Sequence, residues 1–181
     1  MTLDAARGLL ACPACAAPLA GEDSGRAWGC PNGHHFDVAR QGYLNLLGSP
    51  PPANADTADM VAARDRVLGS GLFDPVAEQV ARRLAGAATI AEVGSGTGFY
   101  LARALGDGEA RGLALDVSVA AARRAARAHP RAASVVADAW GTLPVRSGRL
   151  AAVLCVFAPR NMGEFARVLA SNGLLVVVTP T

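Results

Sequence analysis

Lysine is absent from this chain of 181 residues: all 17 basic residues are arginine. Arginine suits phosphate recognition through its planar fork of donors. A chain rich in Arg, Ala and Gly is explained more simply by GC-rich coding. Net charge is only +2, which neither demands nor excludes a nucleic-acid partner. Long apolar runs are missing too. The longest, such as 150–158 and 174–178, break well short of a membrane span, so no transmembrane helix is expected. The N-terminus shows no basic region followed by an apolar run and a cleavage site, so no secretory signal is read there. Charged residues make up 18% against 51% hydrophobic, a balance that excludes a largely disordered protein and can bury a core. The length fits one medium domain, or a compact domain with a small attachment.

Cysteine is sparse but clustered. Three of the four cysteines fall in the first thirty residues, as Cys12-Pro13-Ala14-Cys15 and then Cys30, with His34 close behind. A turn inside C-x-x-C lets two thiolates converge on one metal, and a second Cys/His pair completes a tetrahedron. The intervening stretch holds Pro18, Gly21, Asp23, Ser24, Gly25 and Gly29, which favour turns over a helix. The alternatives are a reduced, metal-free C-x-x-C or a redox pair, and a redox pair usually lies beside a βαβ unit. His35 rivals His34 as the fourth ligand, and spacing does not separate them. A filled four-ligand set makes the metal structural. Cys155 reads as a buried small hydrophobe. Metal-type cysteines and the lack of a targeting signal point to the cytoplasm.

Three units are expected along the chain: a metal module over 1–47, a Pro-rich linker over 48–56 with prolines at 50–52, and a cofactor domain over 57–181. Residues 57–69 look helical with Thr57 as cap, and Pro75 opens a second helix through about Leu84. From residue 88, short apolar runs at 89–93, 111–115, 133–137, 150–156 and 174–179 alternate with helical stretches at 98–105, 118–128 and 161–170. That alternation predicts an α/β fold with a parallel sheet of five countable strands and helices on both faces. No internal repeat is evident.

The sharpest signal is Glu92-Val93-Gly94-Ser95-Gly96-Thr97-Gly98, after the first of these strands and before a helix. A dinucleotide fingerprint wants its third glycine where Phe99 stands. G-x-G-x-G preceded by an acid suits instead a cofactor whose amino-acid end carries an ammonium group. Asp116 closes the second strand, where a carboxylate can accept from both ribose hydroxyls. Asp138, with the backbone of Ala139 beside it, follows the third and could accept from an adenine amino group. A structural turn with two helix-starting acids is the plain alternative. Ligand crevices lie at these strand ends in such sheets.

This constellation resembles the class I (Rossmann-like) fold of S-adenosylmethionine-dependent methyltransferases. The pattern Cys-Pro-x-Cys…Cys-x-x-x-His, followed by Phe36-Asp37-Val38-Ala39-Arg40-x-Gly42-Tyr43-x-Asn45-Leu46-Leu47 and Asp59-Met60-x-x-Ala63-Arg64, is similar to the 23S rRNA guanine-N1 methyltransferases. Residues 126–132, Ala137-Asp138-x-Trp140-x-Thr142-Leu143-Pro144 and Val156-Phe157-Ala158-Pro159-Arg160-Asn161 resemble the macrolide-producer branch, which includes the tylosin-resistance methyltransferase.

The resemblance implies a structural zinc on Cys12, Cys15, Cys30 and His34 in a zinc-ribbon-like module, which favours His34 over His35. It matches Gly96 and Thr97 to the cofactor-contacting part of the loop and Asp116 to the ribose-binding acid, within an expected S-adenosylmethionine site of Phe73, Glu92, Gly94, Gly96, Thr97, Gly98, Asp116, Asp138 and Ala139. Phe73 stands where the family usually has tyrosine, and Glu92 where it usually has aspartate. Ser171-Asn172-Gly173 replaces the usual Pro-Gly-Gly turn. The implied reaction is methylation of guanine N1 in a 23S rRNA hairpin loop, lowering macrolide binding, by a possible homodimer. The implied family length runs well past Thr181, so the chain is expected to lack the last two strands, a further cofactor contact and part of the RNA pocket.

Arg40, Tyr43, Arg64 and Arg160 are candidate RNA contacts, and Phe157-Ala158-Pro159 is the candidate holder of the target base. No catalytic residue is assigned. Asp56 and Asp59 are candidates to take the N1 proton, or simply a solvated helix start. Two other readings remain open: a small-molecule methyltransferase, and a non-catalytic relative that binds RNA or a partner.

Overall fold

The computed structural model describes residues 2–53 and 55–180. Met1, Asn54 and Thr181, which the expected module, linker and cofactor domain include, lie outside the described residues.

A 3-10 turn, Thr2–Ala6, leads into a small antiparallel sheet of β1 (Ala20–Gly21), β2 (Ala27–Gly29) and β3 (His35–Asp37). The strand β4 (Tyr43–Asn45) follows, then helices α1 (Ala58–Gly69) and α2 (Asp74–Leu84). Thr57 caps α1 by accepting from the Met60 amide, and a proline sits in the first turn of α2, where its missing N–H costs nothing. Alternating elements complete the chain: β5 (Thr89–Val93), α3 (Phe99–Leu105), β6 (Arg111–Asp116), α4 (Val119–Ala125), β7 (Ala132–Val136), β8 (Leu150–Val156), α5 (Met162–Val168) and β9 (Leu169–Val178).

The large sheet runs β4-β7-β6-β5-β8-β9, with every pair parallel. Its central strands bury both faces, as helices on either side require, while the edge strand β9 is only partly covered. Ala91, Val93, Leu113, Leu115, Val135, Val153 and Cys155 point to one side, against the N-terminal 3-10 turn and Phe165 of α5. Ile90, Ala114, Ala132, Ala152, Leu154 and Val156 point to the other, against α2, α3 and α4. The chain leaves β5 toward β6 and β7, then returns to β8 on the opposite side of β5. That reversal opens a crevice at the carboxyl ends of β5 and β8, the usual ligand position in such sheets.

The sheet has six strands where the sequence pattern counts five. Tyr43–Asn45 adds to β7 in register Tyr43↔Ser134 to Asn45↔Val136. Three residues are too few to show alternation, although it exists: Tyr43 packs on Ala122, Ala126 and Val136, and Leu44 enters the other cluster. The metal module therefore shares a core with the cofactor domain. Leu10, Leu19, Trp28 and Leu46 join Leu113, Leu115 and Val135 in one cluster. Backbone bonds from Ala11 to Pro144 and from Arg146 to Leu9 tie the two together.

Strand β9 begins earlier than expected. Leu150 pairs with Leu169, yet Ala152 pairs with Leu174, so the strand loops out across Ser171-Asn172-Gly173. A Cβ on Gly173 would lie 2.7 Å from Leu169 Cδ2, so a glycine is needed where the loop folds back. Among the described residues no helix is long and apolar enough to cross a membrane.

Candidate functional site

Two short turns bring the metal-type residues together. The Ala16 amide donates back to Cys12, and Gly33 to Cys30. The sulfurs of Cys12, Cys15 and Cys30 and one ring nitrogen of His34 then lie within 4.8 Å of one another. Cys15 and Cys30 Sγ are 3.7 Å apart, and Cys30 Sγ is 3.3 Å from His34 Nδ1. A tetrahedron with Zn–S bonds of about 2.3 Å has edges of about 3.8 Å, so the cluster fits zinc. The Ala17 amide and then the Asn32 side chain pull the Cys15 thiol down to about 6, toward the thiolate a metal binds. His35 is turned away, paired with Glu22 at 2.6 Å.

The glycine loop is pinned between three strands. Gly94 and Ser95 amides both donate to Leu115 O, and the Gly96 amide donates to Asp116 Oδ2 at 2.7 Å. The other oxygen of Asp116 accepts from Ser118 N–H at 2.8 Å. Each oxygen keeps a second lone pair, so a diol can still be received. Burial raises the Asp116 carboxyl, opposed by these two amides. Gly94 has φ 71°, and a Cβ there would meet Ala158 Cβ at 2.3 Å. No side chain fits where the loop passes the end of β8.

The cleft consists of two adjoining cavities of about 270 and 220 Å³ that share Arg64, Gly94 and Phe157 as walls. Together they fall within the range of small-molecule sites, roughly 300–1,000 Å³. Phe73, Glu92, Gly96 and Thr97 line the first, and Asp116, Asp138 and Ala139 the second. Gly98 faces α4 instead, where an added Cβ would lie 3.0 Å from Ala128 Cβ. Phe73 meets Phe157 edge-on at 6.2 Å. Phe157 adopts φ 51°, a costly backbone state for an aromatic residue, and stays half exposed at the cleft. Trp140 stands out at the rim, 68% exposed on a turn held by Asp138 and Asn161.

Glu92 is the acid that the sequence reading sets beside a cofactor with an ammonium end, and it lines the first cavity. It is buried, and its Oε2 already accepts from the Leu101 amide at 3.1 Å. Burial, with a smaller contribution from Asp116, lifts it to about 8. Below about pH 4.5 both folded and unfolded chains hold this proton. As pH rises from there toward 8 only the folded chain still binds it, so stability is lost. We expect Glu92→Gln to gain stability relative to the parent across that window, on the order of a few kcal/mol by pH 8. Denaturant midpoints at pH 5 and 8 check this, and parallel profiles for the two proteins would contradict it.

Among the candidate RNA contacts, Tyr43 is buried in the sheet and offers no face to a base. Arg40 and Arg160 are exposed. Arg64 lies over the glycine loop and pairs with Asp56 at 2.7 Å. Sequence reasoning missed this pair, because nothing local links a linker aspartate to the second turn of the next helix. Of the two candidate proton acceptors, Asp56 lines the second cavity and Asp59 is exposed in the first turn of α1.

Residues 10–51 match the family described as "RlmA, N-terminal", a zinc ribbon, and 91–177 match "Methyltransferase domain". Across 178 residues, 94% of this chain, the sequence is 56% identical to the 23S rRNA (guanine(748)-N(1))-methyltransferase of Streptomyces fradiae. Over nearly its whole length the chain is similar to 23S rRNA guanine-N1 methyltransferases. A Micromonospora griseorubida relative, provisionally named for the same reaction, is 46% identical over 95% of this chain. The chain spans 63–65% of the length of these curated family members. A solved complex of the Haloferax volcanii Trm112 methyltransferase activator with a methyltransferase shares the fold. That match has a TM-score of 0.59 at 21% identity and covers 70% of this chain and 61% of the other.

The zinc-ribbon and methyltransferase-domain matches imply zinc and S-adenosylmethionine, and the residues present fit both. The donor set is three thiols and an imidazole. In the cleft, the buried hydroxyls of Ser95 and Thr97 have no partner among the described residues, as a site for a polar ligand end would require.

Proposed function

We propose that this protein transfers a methyl group from S-adenosylmethionine to N1 of an unpaired guanine in a hairpin loop of 23S rRNA. The observation that carries the reading is the 56% identity to the S. fradiae enzyme, which extends through both the zinc cluster and the cleft. The cofactor supplies a methyl group already activated on a sulfonium centre. The chain's part is positioning, the main source of acceleration for such a transfer. Asp116 would receive the ribose hydroxyls, Asp138 with Ala139 the adenine edge, and Phe73 would wall the first cavity beside the cofactor. N1 lies on the Watson–Crick edge, so the guanine must be unstacked to reach it. Phe157 and Trp140 offer that base exposed aromatic faces at the mouth of the cleft, each able to contribute about 1–3 kcal/mol of stacking. Attack by N1 would form the new N–C bond as the methyl carbon's bond to sulfur breaks, S-adenosylhomocysteine would leave, and the N1 proton would pass to solvent.

In this reading the zinc module, read over 1–47, holds the RNA while the cleft domain holds the methyl donor. Such a substrate places the protein in the cytoplasm, and an N1 methyl in the ribosomal exit tunnel lowers macrolide binding. Reverse transcription tests it. After treatment of 23S rRNA with protein and S-adenosylmethionine, extension should stop at one guanine, because an N1 methyl blocks pairing. Unbroken read-through with and without the cofactor would overturn the reading. Methylation of a small molecule alone would favour the small-molecule alternative.

A further inference from the structure

The two cavities of the cleft are lined by a single cation. Arg64 faces both, and no other basic side chain lines either among the described residues. Its Cδ lies 3.5 Å from where a Cβ on Gly96 would be, so the side chain lies along the glycine loop. Asp56 fixes it there through a 2.7 Å ion pair. Asp56 is itself anchored: its carbonyl accepts from the Ser118 hydroxyl at 2.6 Å, and that hydroxyl accepts from Ala121 N–H at the start of α4. Asp56 thus ties the start of α1 to the start of α4.

The other side chains lining the first cavity are mostly apolar; the polar ones are a buried Glu92, Tyr100 and the orphaned hydroxyls of Ser95 and Thr97, and none of them is a cation. An S-adenosylmethionine molecule brings a carboxylate on its amino-acid end. A carboxylate entering such a cavity needs a cationic partner, since an unpaired charge there is costly. We propose that Arg64 is the receptor for the cofactor's carboxylate, and that Asp56 is the positioning residue that holds the guanidinium over the loop. This assigns Arg64 to the cofactor and not to RNA, and it rests on reading the cleft as the methyl-donor site. Guanidinium has five N–H donors in a fixed fork, so it can keep Asp56 and still bind a second carboxylate.

S-adenosylhomocysteine and 5′-methylthioadenosine share the adenosine and the thioether, and only the first has the amino-acid end. Calorimetric titration of both into the zinc-loaded protein isolates the carboxylate. Arg64→Ala should weaken S-adenosylhomocysteine about ten- to a hundred-fold, the range of a charged hydrogen bond. It should leave methylthioadenosine within about two-fold, a difference inside ordinary context effects. Arg64→Lys keeps the charge without the fork and should fall between. Asp56→Asn should weaken S-adenosylhomocysteine less than Arg64→Ala does. Equal losses for both ligands in Arg64→Ala would overturn the proposal, since the residue would then act on the fold or on the adenosine half. So would unchanged affinity for both ligands, with or without a loss of RNA binding. Failure of the parent protein to bind S-adenosylhomocysteine at all would sink the cofactor reading itself, and the proposal with it.

Discussion

Removing zinc is expected to destabilise the entire chain and not just the first forty-seven residues. The ligands are embedded in the main core: Cys12 and Cys30 belong to the same buried cluster as Leu113, Leu115 and Val135 of the central strands. The module has three very short strands of its own, so metal coordination must supply much of its folding energy. Zinc-finger peptides gain about 10–16 kcal/mol from such a site, comparable with the total stability of a domain, roughly 5–15 kcal/mol. If the module unfolds, one face of β6 and β7 loses its cover. Chelation, or Cys12→Ser, should therefore give one melting transition at much lower temperature, with greater dye binding to exposed apolar surface. His35→Ala should leave zinc content and melting temperature unchanged, because that ring is paired with Glu22 and turned away from the cluster. Loss of only a small early transition, with the main one unmoved, would contradict the shared core.

The second large effect is expected at Gly94. A methyl group there would lie 2.3 Å from Ala158 Cβ, and the backbone is left-handed at φ 71°. Overpacking of this kind costs about 1–3 kcal/mol, and the left-handed state adds roughly 1–2 kcal/mol for any residue with a Cβ. The clash also falls at the wall shared by both cavities. Relief requires the loop after β5 or the turn after β8 to move, and either shift changes the site that holds the donor. Gly94→Ala should lose stability and most of its affinity for S-adenosylhomocysteine. Gly148 is the control, with φ 66° and open space around its missing Cβ. Gly148→Ala should show only the backbone cost and bind normally. Equal behaviour of the two variants would mean that the close approach at Ala158 has no role in shaping the cleft.

The parallel core could be read from sequence because each strand is a short apolar run bounded by turns, and periodicity survives in runs of five residues or more. The start of α1 was readable for a similar reason: Thr57 is a hydrogen-bonding cap just ahead of a helical pattern. The sequence reading missed β4 because Tyr43–Asn45 is too short for any period, and its place depends on the backbone of β7, far along the chain. It also misjudged Tyr43, since an aromatic in a family motif looks alike whether it stacks a base or fills a core. Helix α4 ends at Ala125 and not near residue 128. The alanine-rich run carries no stop signal of its own, and the turn toward β7 decides the end.

The cleft shows the same division. Gly94, Gly96 and Asp116 announce themselves by type and by position after strands. Arg64, Asp56 and Trp140 do not, because their roles come from packing between distant segments. Glu92 carries a different lesson. An acid before a glycine loop can also serve the loop's own helix, here by accepting from the Leu101 amide.

The most direct test of the account is to incubate the zinc-loaded protein with S-adenosylmethionine and a 23S rRNA hairpin, then digest the RNA and separate its nucleosides by mass. The account requires 1-methylguanosine as the product, formed only with the cofactor and lost in the Gly94→Ala variant. A hairpin returned without 1-methylguanosine, or methylated at another atom, would contradict it.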